Sequence, residues 1–128
     1  MQLLLDTHAL LWWLDGDSRM PPKVRALIAD LENGVHVSAA SVWEITTKAR
    51  LGKLPGAAAV AADVPAALSS QGFSALSISA AHAQRAGSLP GPHRDPFNRM
   101  LVAQSLLEGM PIVSADTVFD GYRVTRIW

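Results

Sequence analysis

Residues 3–14 of the chain read LLLDTHALLWWL. The three leucines form a short apolar run that is typical of a buried strand, and Asp6 ends that run. From Thr7 onward the apolar side chains, among them Trp12 and Trp13, continue as an apolar helix. The stretch therefore predicts a strand that ends in a carboxylate and passes directly into a helix.

The same alternation continues along the chain. Further apolar runs predict strands at residues 35–37, 75–78, 112–113 and 124–127, the last of them at a sheet edge. Helical spacing predicts helices after Pro21–Pro22, after Ser38 or Ser41, within residues 56–71, at 79–86 and at 95–107. Strands separated by helices are typical of parallel neighbours. We therefore expect a three-layer α/β fold, with a mostly parallel, twisted sheet of about five strands and helices on both faces.

The composition limits the function classes. The chain has 128 residues, of which 49% are hydrophobic, and we expect a single domain over residues 1–128. There is no cysteine, which excludes disulfides, zinc–cysteine sites and thiol nucleophiles. The 11 basic and 11 acidic residues give a formal charge of zero, which excludes the strongly basic surface of a protein that coats nucleic acid. A contact with nucleic acid must therefore be local.

The sequence shows neither a signal peptide nor a membrane span. The N-terminus has no cationic segment, and Asp6 interrupts its apolar run. The alanine-rich residues 56–68 contain Asp63 and Pro65, and they fall short of the roughly 18 apolar residues of a spanning helix. We therefore expect a soluble, cytoplasmic protein.

Four acidic side chains follow predicted strands or begin predicted helices. Asp6 ends the first strand, and Asp116 comes three residues after Val113. Glu44 lies early in the helix after the second strand, and Asp95 begins a later helix. The carboxyl ends of parallel strands share one edge, where ligands bind, so we expect these side chains to converge. Converging carboxylates repel one another unless a cation such as Mg²⁺ or Mn²⁺ neutralises them. Such a cation supplies an activated water for attack on phosphorus and positive charge for the leaving oxygen. The pattern therefore indicates phosphodiester hydrolysis.

Four stretches, in this order, resemble the signatures of PIN-domain proteins, specifically of VapC toxins from bacterial toxin–antitoxin pairs. They are LLLDTHALLWWL at 3–14, SAASVWEITTKARLGKL at 38–54, HRDPFNRMLVAQ at 93–104 and PIVSADTVFDGYRVTRIW at 111–128. The resemblance implies a PIN-like fold and a ribonuclease that depends on Mg²⁺, or on Mn²⁺, and cleaves structured cellular RNA. It also implies a VapB-type antitoxin that holds the enzyme inactive, and a homodimer.

The family's acidic positions, carried over residue by residue, match Asp6, Glu44, Asp95 and Asp116, which become candidate catalytic residues and metal ligands. Position 98 departs from the pattern, because the third stretch in this branch of the family usually reads like DPFDR and this chain has Asn98. Seventeen residues separate Asn98 from Asp116, the spacing at which many PIN domains carry their third carboxylate. We therefore expect Asn98 to be a metal ligand.

The amide oxygen of Asn98 can coordinate Mg²⁺, but it brings no negative charge and cannot act as a base. The resemblance therefore implies an enzyme whose activity is attenuated by this residue. The alternative is a catalytically weakened or silent PIN domain that binds an antitoxin or RNA.

Three of the four carboxylates also have a simpler structural explanation. Asp6 could cap the helix that follows it, and Asp95 before a proline is a good helix N-terminus. Glu44 and Lys48 form an i,i+4 pair that would stabilise an exposed helix only slightly. If Asp6 serves only the site, its replacement by alanine should remove activity without destabilising the protein.

Basic residues cluster beside the carboxylates and could hold RNA phosphates or form solvated helix faces. The candidate RNA-binding residues are Lys48 and Arg50 after Glu44, followed by Lys53, and Arg94 and Arg99 around Asp95.

Rings and turns supply weaker signals. His8 and His93 could contact RNA, although such histidines are more often surface or cap residues. Asp120 before Gly121 indicates a turn, and we place it outside the site.

A haloacid-dehalogenase phosphotransferase would need an aspartate where His8 stands, which argues against that class. Four tryptophans favour core or dimer packing over base stacking: Trp12, Trp13, Trp43 and Trp128.

Overall fold

Five short strands form one sheet in the computed structural model, which describes residues 1–91 and 94–128. The strands are β1 (Gln2–Leu5), β2 (Gly34–Ser38), β3 (Ser74–Leu76), β4 (Ile112–Val113) and β5 (Arg126–Ile127). The helices of the described residues are α1 (Thr7–Asp15), α2 (Pro22–Ala29), α3 (Ala39–Arg50), α4 (Ala58–Ala62), α5 (Val64–Ser70), α6 (Ala80–Ser88) and α7 (Pro96–Glu108), with a 3₁₀ turn at Thr117–Gly121. The predicted α/β class is confirmed.

The strand order is β3-β2-β1-β4-β5, and every neighbouring pair is parallel. The sequence predicted a mostly parallel sheet, and even the edge strand β5 is parallel to its neighbour. From β1 the chain proceeds to β2 and β3 on one side, and it then returns past β1 to β4 and β5 on the other. The order thus reverses between β1 and β4, which is where open parallel sheets form a crevice at the carboxyl ends of their strands.

The register of the sheet fixes which residues stand at this edge. Leu5 lies beside Val37 of β2 and beside Val113 of β4. The next residue after Leu5 is Asp6, and the next after Val113 is Ser114, and both of these polar residues are buried. The last residues of the apolar strands are therefore followed at once by buried polar groups that need partners.

The two faces of β1 pack against different helices, because side chains alternate along a strand. Leu3 and Leu5 belong to a cluster with residues of α1, α2, α3 and α5, such as Leu10 and Val24. Leu4 belongs to a second cluster with residues of α7 and the 3₁₀ turn. This arrangement is the predicted three-layer fold.

Strand β3 ends earlier than predicted. The apolar pattern predicted a strand at 75–78, whereas pairing covers Ser74–Leu76 and its last pair joins Leu76 to Ser38. The chain of β2 turns into α3 after Ser38, whose hydroxyl accepts a hydrogen bond from the Ala40 N–H at 3.0 Å. Strand β2 therefore has no further residue with which β3 can pair.

No helix among the described residues is long and apolar enough to cross a membrane.

The burial of Leu4 predicts a large effect of truncation. Leu4 is fully buried in the central strand, so Leu4→Ala should lower the free energy of unfolding by about 2–5 kcal/mol. Leu31 is 99% exposed, and Leu31→Ala should change stability by less than about 0.5 kcal/mol. Urea denaturation of both variants measures the difference, and equal midpoints would contradict the packing described for β1.

Candidate active site

One small cavity at the carboxyl edge of the sheet collects the acidic residues singled out in the sequence. Its volume is about 80 Å³. The walls come from the start of α1, from α3, from the start of α7 and from the loop after β4. The lining residues are Asp6, Thr7, His8, Glu44, Lys48, Asp95, Asn98 and Asp116. All four carboxylates and Asn98 therefore line the same cavity.

Asp6 is nearly buried at the end of β1. Its Oδ1 accepts a hydrogen bond from the Ala9 N–H at 2.8 Å, and its Oδ2 accepts one from the Ser114 hydroxyl. Burial raises the pKa of Asp6, although the hydrogen bonds from Ser114 and Ala9 act against this effect. Asp6 thus caps α1 and also lines the cavity. Because alanine cannot form this cap, the cap is a reason to expect some loss of stability in Asp6→Ala.

Glu44 lies in α3 and is only 6% exposed. The Thr7 hydroxyl donates to its Oε1 at 2.5 Å, and the Lys48 ammonium donates to its Oε2. The simpler explanation from the sequence placed the Glu44–Lys48 pair on an exposed helix, and for Glu44 this was wrong. The helix α3 packs against α1 and α7, and Glu44 is buried.

Asp95 and Asp116 each begin a helical segment. Asp95 Oδ1 accepts from the N–H groups of Phe97 and Asn98, at 2.9 and 3.3 Å, at the start of α7. Asp116 is exposed, and its Oδ1 accepts from the Val118 N–H at 3.0 Å at the start of the 3₁₀ turn. Asp95 and Asp116 therefore each cap a helical segment and also line the cavity.

Two buried hydroxyls that were not predicted from the sequence hold these carboxylates. Thr7 donates to Glu44, and Ser114 donates to Asp6 while its oxygen accepts the Asp116 N–H at 2.9 Å. The available signal was position, because Thr7 follows Asp6 directly and Ser114 follows the last residue of β4.

The basic residues separate into different environments. Lys48 lines the cavity, whereas Arg50 and Arg94 are exposed outside its lining. Arg99 donates from Nε to the Ala86 carbonyl at 3.2 Å and from Nη2 to the Leu89 carbonyl. It therefore joins the end of α6 to α7, which differs from the predicted phosphate contact.

The rings are also divided. His8 is exposed and lines the cavity, and His93 lies outside the described residues. The sequence favoured core or dimer packing for Trp43, and its 62% exposure contradicts the core alternative. Its ring meets Phe97 edge-on at 5.2 Å between centroids. Asp120 pairs with Arg126 outside the cavity, as its exclusion from the site implied.

The donor set of the cavity suits a hard divalent cation. Its candidate ligands are carboxylate oxygens and one amide oxygen, and a buried carboxylate with a raised pKa is stabilised in its ionised form by a nearby cation. Within residues 1–91 and 94–128, however, no three His, Asp or Glu side chains already lie in an arrangement that could hold an ion. A cation would therefore require the side chains to adjust, beginning with Asp6 and Glu44, whose oxygens accept hydrogen bonds from other side chains.

Fold and cavity together define an α/β domain with an acidic cleft at the reversal point of a parallel sheet. Residues 3–124 match the family model of the PIN domain, and the chain belongs to that family. This finding confirms the resemblance drawn from the four sequence stretches.

One curated relative is Ribonuclease VapC16 of Mycobacterium tuberculosis (strain ATCC 25618 / H37Rv). It is 43% identical over 60 residues, which are 47% of this chain. The match spans only 43% of that relative's length.

Solved structures resemble the chain over nearly its full length. VapBC2 from Rickettsia felis, bound to a DNA fragment from its promoter, has a TM-score of 0.73 at 14% identity and covers 99% of this chain and 98% of that one. FitAcB from Neisseria gonorrhoeae has a TM-score of 0.67 at 18% identity, with 98% and 96% covered. A toxin–antitoxin complex from Klebsiella pneumoniae has a TM-score of 0.62 at 18% identity, with the same coverage. At these identities the likeness shows the fold.

The double role of Asp6 predicts that two substitutions differ in stability. Asp6→Asn removes the buried charge but keeps an oxygen for the Ala9 N–H and a group for Ser114, so its Tm should equal or exceed that of the wild type. Asp6→Ala also loses the helix cap, and we expect it to be about 1 kcal/mol less stable than Asp6→Asn. Thermal and urea denaturation in EDTA compare the two, and equal stability of both variants would exclude a contribution from the cap.

Proposed function

We propose that this protein is a metal-dependent endoribonuclease toxin of a toxin–antitoxin pair, which hydrolyses phosphodiester bonds of RNA. The observation that carries the proposal is the meeting of Asp6, Glu44, Asp95 and Asp116 in one cavity of a PIN domain. Carboxylates gathered at a sheet edge, without a nucleophilic thiol anywhere in the chain, suit hydrolysis by an activated water.

The relatives support the same class of activity. The curated relative is called a ribonuclease, and the three structural relatives include a toxin–antitoxin complex. These names describe those proteins, and we extend them to this chain because it belongs to the PIN-domain family and has an acidic cavity.

Asp6, Glu44, Asp95, Asn98 and Asp116 are the proposed holders of Mg²⁺ or, in its place, Mn²⁺. When bound, such a cation supplies positive charge at the phosphate and an activated water. The amide oxygen of Asn98 adds a neutral ligand beside the carboxylates.

The other polar residues of the cavity orient these groups. Ser114 fixes Asp6 and the backbone of Asp116 relative to each other, through one hydroxyl. Thr7 holds one oxygen of Glu44, and Lys48 pairs with the other. The Lys48 side chain is one-third exposed (33%), so its ammonium can also meet a phosphate oxygen that enters from solvent.

The proposal extends to partners. A VapB-type antitoxin would hold the toxin inactive, a homodimer is the proposed assembly, and action on cellular RNA would place the protein in the cytoplasm. Lys48, Arg50 and Arg94 remain the proposed contacts for RNA phosphates. Arg50 and Arg94 are exposed, at the end of α3 and just before α7, and both of these helices line the acidic cavity. Arg99 is left out because its guanidinium is engaged with backbone carbonyls.

The nuclease is favoured over a silent PIN domain. All four carboxylates are kept, and among the five proposed metal ligands only Asn98 lacks a negative charge. A cation with four carboxylates around it does not depend on a fifth charged ligand.

Cleavage assays test the proposal with two matched substitutions. Asp116→Asn keeps the shape and the Val118 cap but removes a charge from the cavity, so RNA cleavage in Mg²⁺ should fall by on the order of 10²-fold or more. Asp120→Asn makes the same change outside the cavity, where it removes only an ion pair with Arg126, and its rate should match the wild type. EDTA should abolish cleavage by every form.

Three results would contradict the proposal. They are wild-type RNA cleavage that persists in EDTA, an equal loss in both aspartate variants, and the absence of wild-type cleavage in Mg²⁺ and in Mn²⁺.

Position 98 allows a test of the metal site. Asn98→Asp adds a negative ligand at almost constant volume, so Mn²⁺ should raise the Tm of the variant more than that of the wild type, and cleavage should increase. Without metal the variant should be slightly less stable, because its new charge faces other carboxylates. Melting curves and cleavage rates with and without Mn²⁺ measure both effects, and identical values for the two proteins would place Asn98 outside the metal site.

A further inference from the structure

A second, larger cavity opens beside the acidic one. Its volume is about 320 Å³, within the roughly 300–1,000 Å³ range of sites that hold small ligands. It shares Asp6, His8 and Asp116 with the acidic cavity, and its remaining lining residues are Trp12, Arg19 and Ala115. We call it the ring cavity. A ligand in it would lie next to the carboxylates.

Besides its carboxylates, the ring cavity is lined by the rings of His8 and Trp12 and by the guanidinium of Arg19. The Trp12 ring lies 5.9 Å from the His8 ring and 5.6 Å from the Trp128 ring, between centroids. The Arg19 guanidinium carbon lies 4.6 Å from the centroid of the Trp12 ring. Rings and guanidinium planes are the surfaces on which unstacked nucleobases bind.

Arg19 is held in place but remains accessible. Its Nε donates to Asp17 Oδ1 at 3.1 Å, and its Nη2 donates to Asp17 Oδ2 at 2.7 Å. These bonds use only part of the five N–H donors of a guanidinium, and 66% of the side chain is exposed. The same bonds lower the pKa of Asp17 to about 2, so the pair stays ionised at neutral pH. Arg19 therefore presents a fixed positive charge at the rim of the ring cavity.

We propose that the ring cavity binds one unstacked nucleotide of the RNA strand, next to the phosphodiester bond that is cleaved. Its base lies against the His8 and Trp12 rings, and Arg19 contacts a neighbouring phosphate. The proposal rests on the proposed function, because it uses the carboxylates shared by the two cavities as the site of cleavage. A base can enter only if it is unpaired, so the preferred substrate is a single-stranded segment, such as a loop of a folded RNA.

The mixture of groups favours a nucleotide over a protein segment. A third cavity shares His8, Trp12 and Arg19 with the ring cavity. It differs in its apolar lining residues, such as Leu11, Leu54 and Val60, which an apolar side chain would require. The ring cavity has no aliphatic side chain beyond Ala115, and two of its walls are carboxylates. Ring stacking beside a positive charge suits a base followed by a phosphate.

Binding without cleavage tests the proposal directly. Labelled single-stranded RNA hexamers of uniform sequence are titrated with the protein in EDTA, and fluorescence anisotropy reports the affinity. Trp12→Leu should weaken binding about tenfold, and Trp12→Phe should restore most of it, because a ring is returned. The matched control Trp43→Leu removes an exposed tryptophan outside the cavity and should bind as the wild type does.

Arg19→Gln tests the charge with little effect on the fold, because the side chain is largely exposed. It should weaken binding of all hexamers and reduce the salt dependence by about one phosphate contact, whereas the exposed control Arg85→Gln should not. Melting curves check that each variant is folded. If Trp12→Leu does not fold, Arg19→Gln carries the test.

Cleavage of a hairpin RNA by the same variants separates this proposal from the proposed function. Trp12→Leu should raise KM with a smaller change in kcat, and it should weaken any base preference next to the cleaved bond. If the wild type does not cleave RNA, the proposed function fails. If the wild type cleaves and folded Trp12→Leu and Arg19→Gln bind and cleave as it does, only the ring cavity proposal is overturned. Loss of antitoxin binding with unchanged RNA binding would also overturn it, by assigning the cavity to protein recognition.

Discussion

The desolvation of Asp6 at the end of the central strand is the constraint on which the rest of the cavity depends. The carboxylate follows three buried leucines, so it is removed from water by the same packing that stabilises the sheet. A buried carboxylate needs hydrogen bonds or a cation, and here Ser114 and the Ala9 N–H supply the hydrogen bonds. Because Ser114 also accepts the Asp116 N–H, the position of one carboxylate fixes the backbone of another.

Helix capping and the acidic cavity are two uses of the same carboxylates. Asp6, Asp95 and Asp116 each accept backbone N–H bonds at the start of a helical segment, where the positive end of the helix dipole also stabilises a negative charge. Their capping oxygens keep the side chains at the sheet edge. The structural and functional explanations of these residues are therefore compatible, and capping is a reason why several acidic groups can be neighbours before any cation is present.

Charge is distributed unevenly around this edge. Glu44 is covered and paired with Lys48, whereas Arg99 is directed to backbone carbonyls of α6 and the following loop. Arg19 lies at the other cavity, held by Asp17. With a net charge of zero over the chain, the contacts available to a polyanion are therefore a few fixed cations rather than a basic surface.

The sequence by itself determined the order of strands and helices, the parallel sheet and the strand-end positions of Asp6 and Asp116, because apolar periodicity and capping residues act over a few neighbouring residues. Only the tertiary structure decided which side chains meet. Ser114 bonds to Asp6 across 108 residues of chain, and Thr7 bonds to Glu44 across 37. Such pairs depend on which strands are neighbours in the sheet and on how α3 packs against it. Neither is encoded in local spacing along the chain. For the same reason the burial of Glu44, the early end of β3 and the carbonyl contacts of Arg99 could not be inferred from their neighbours in the sequence.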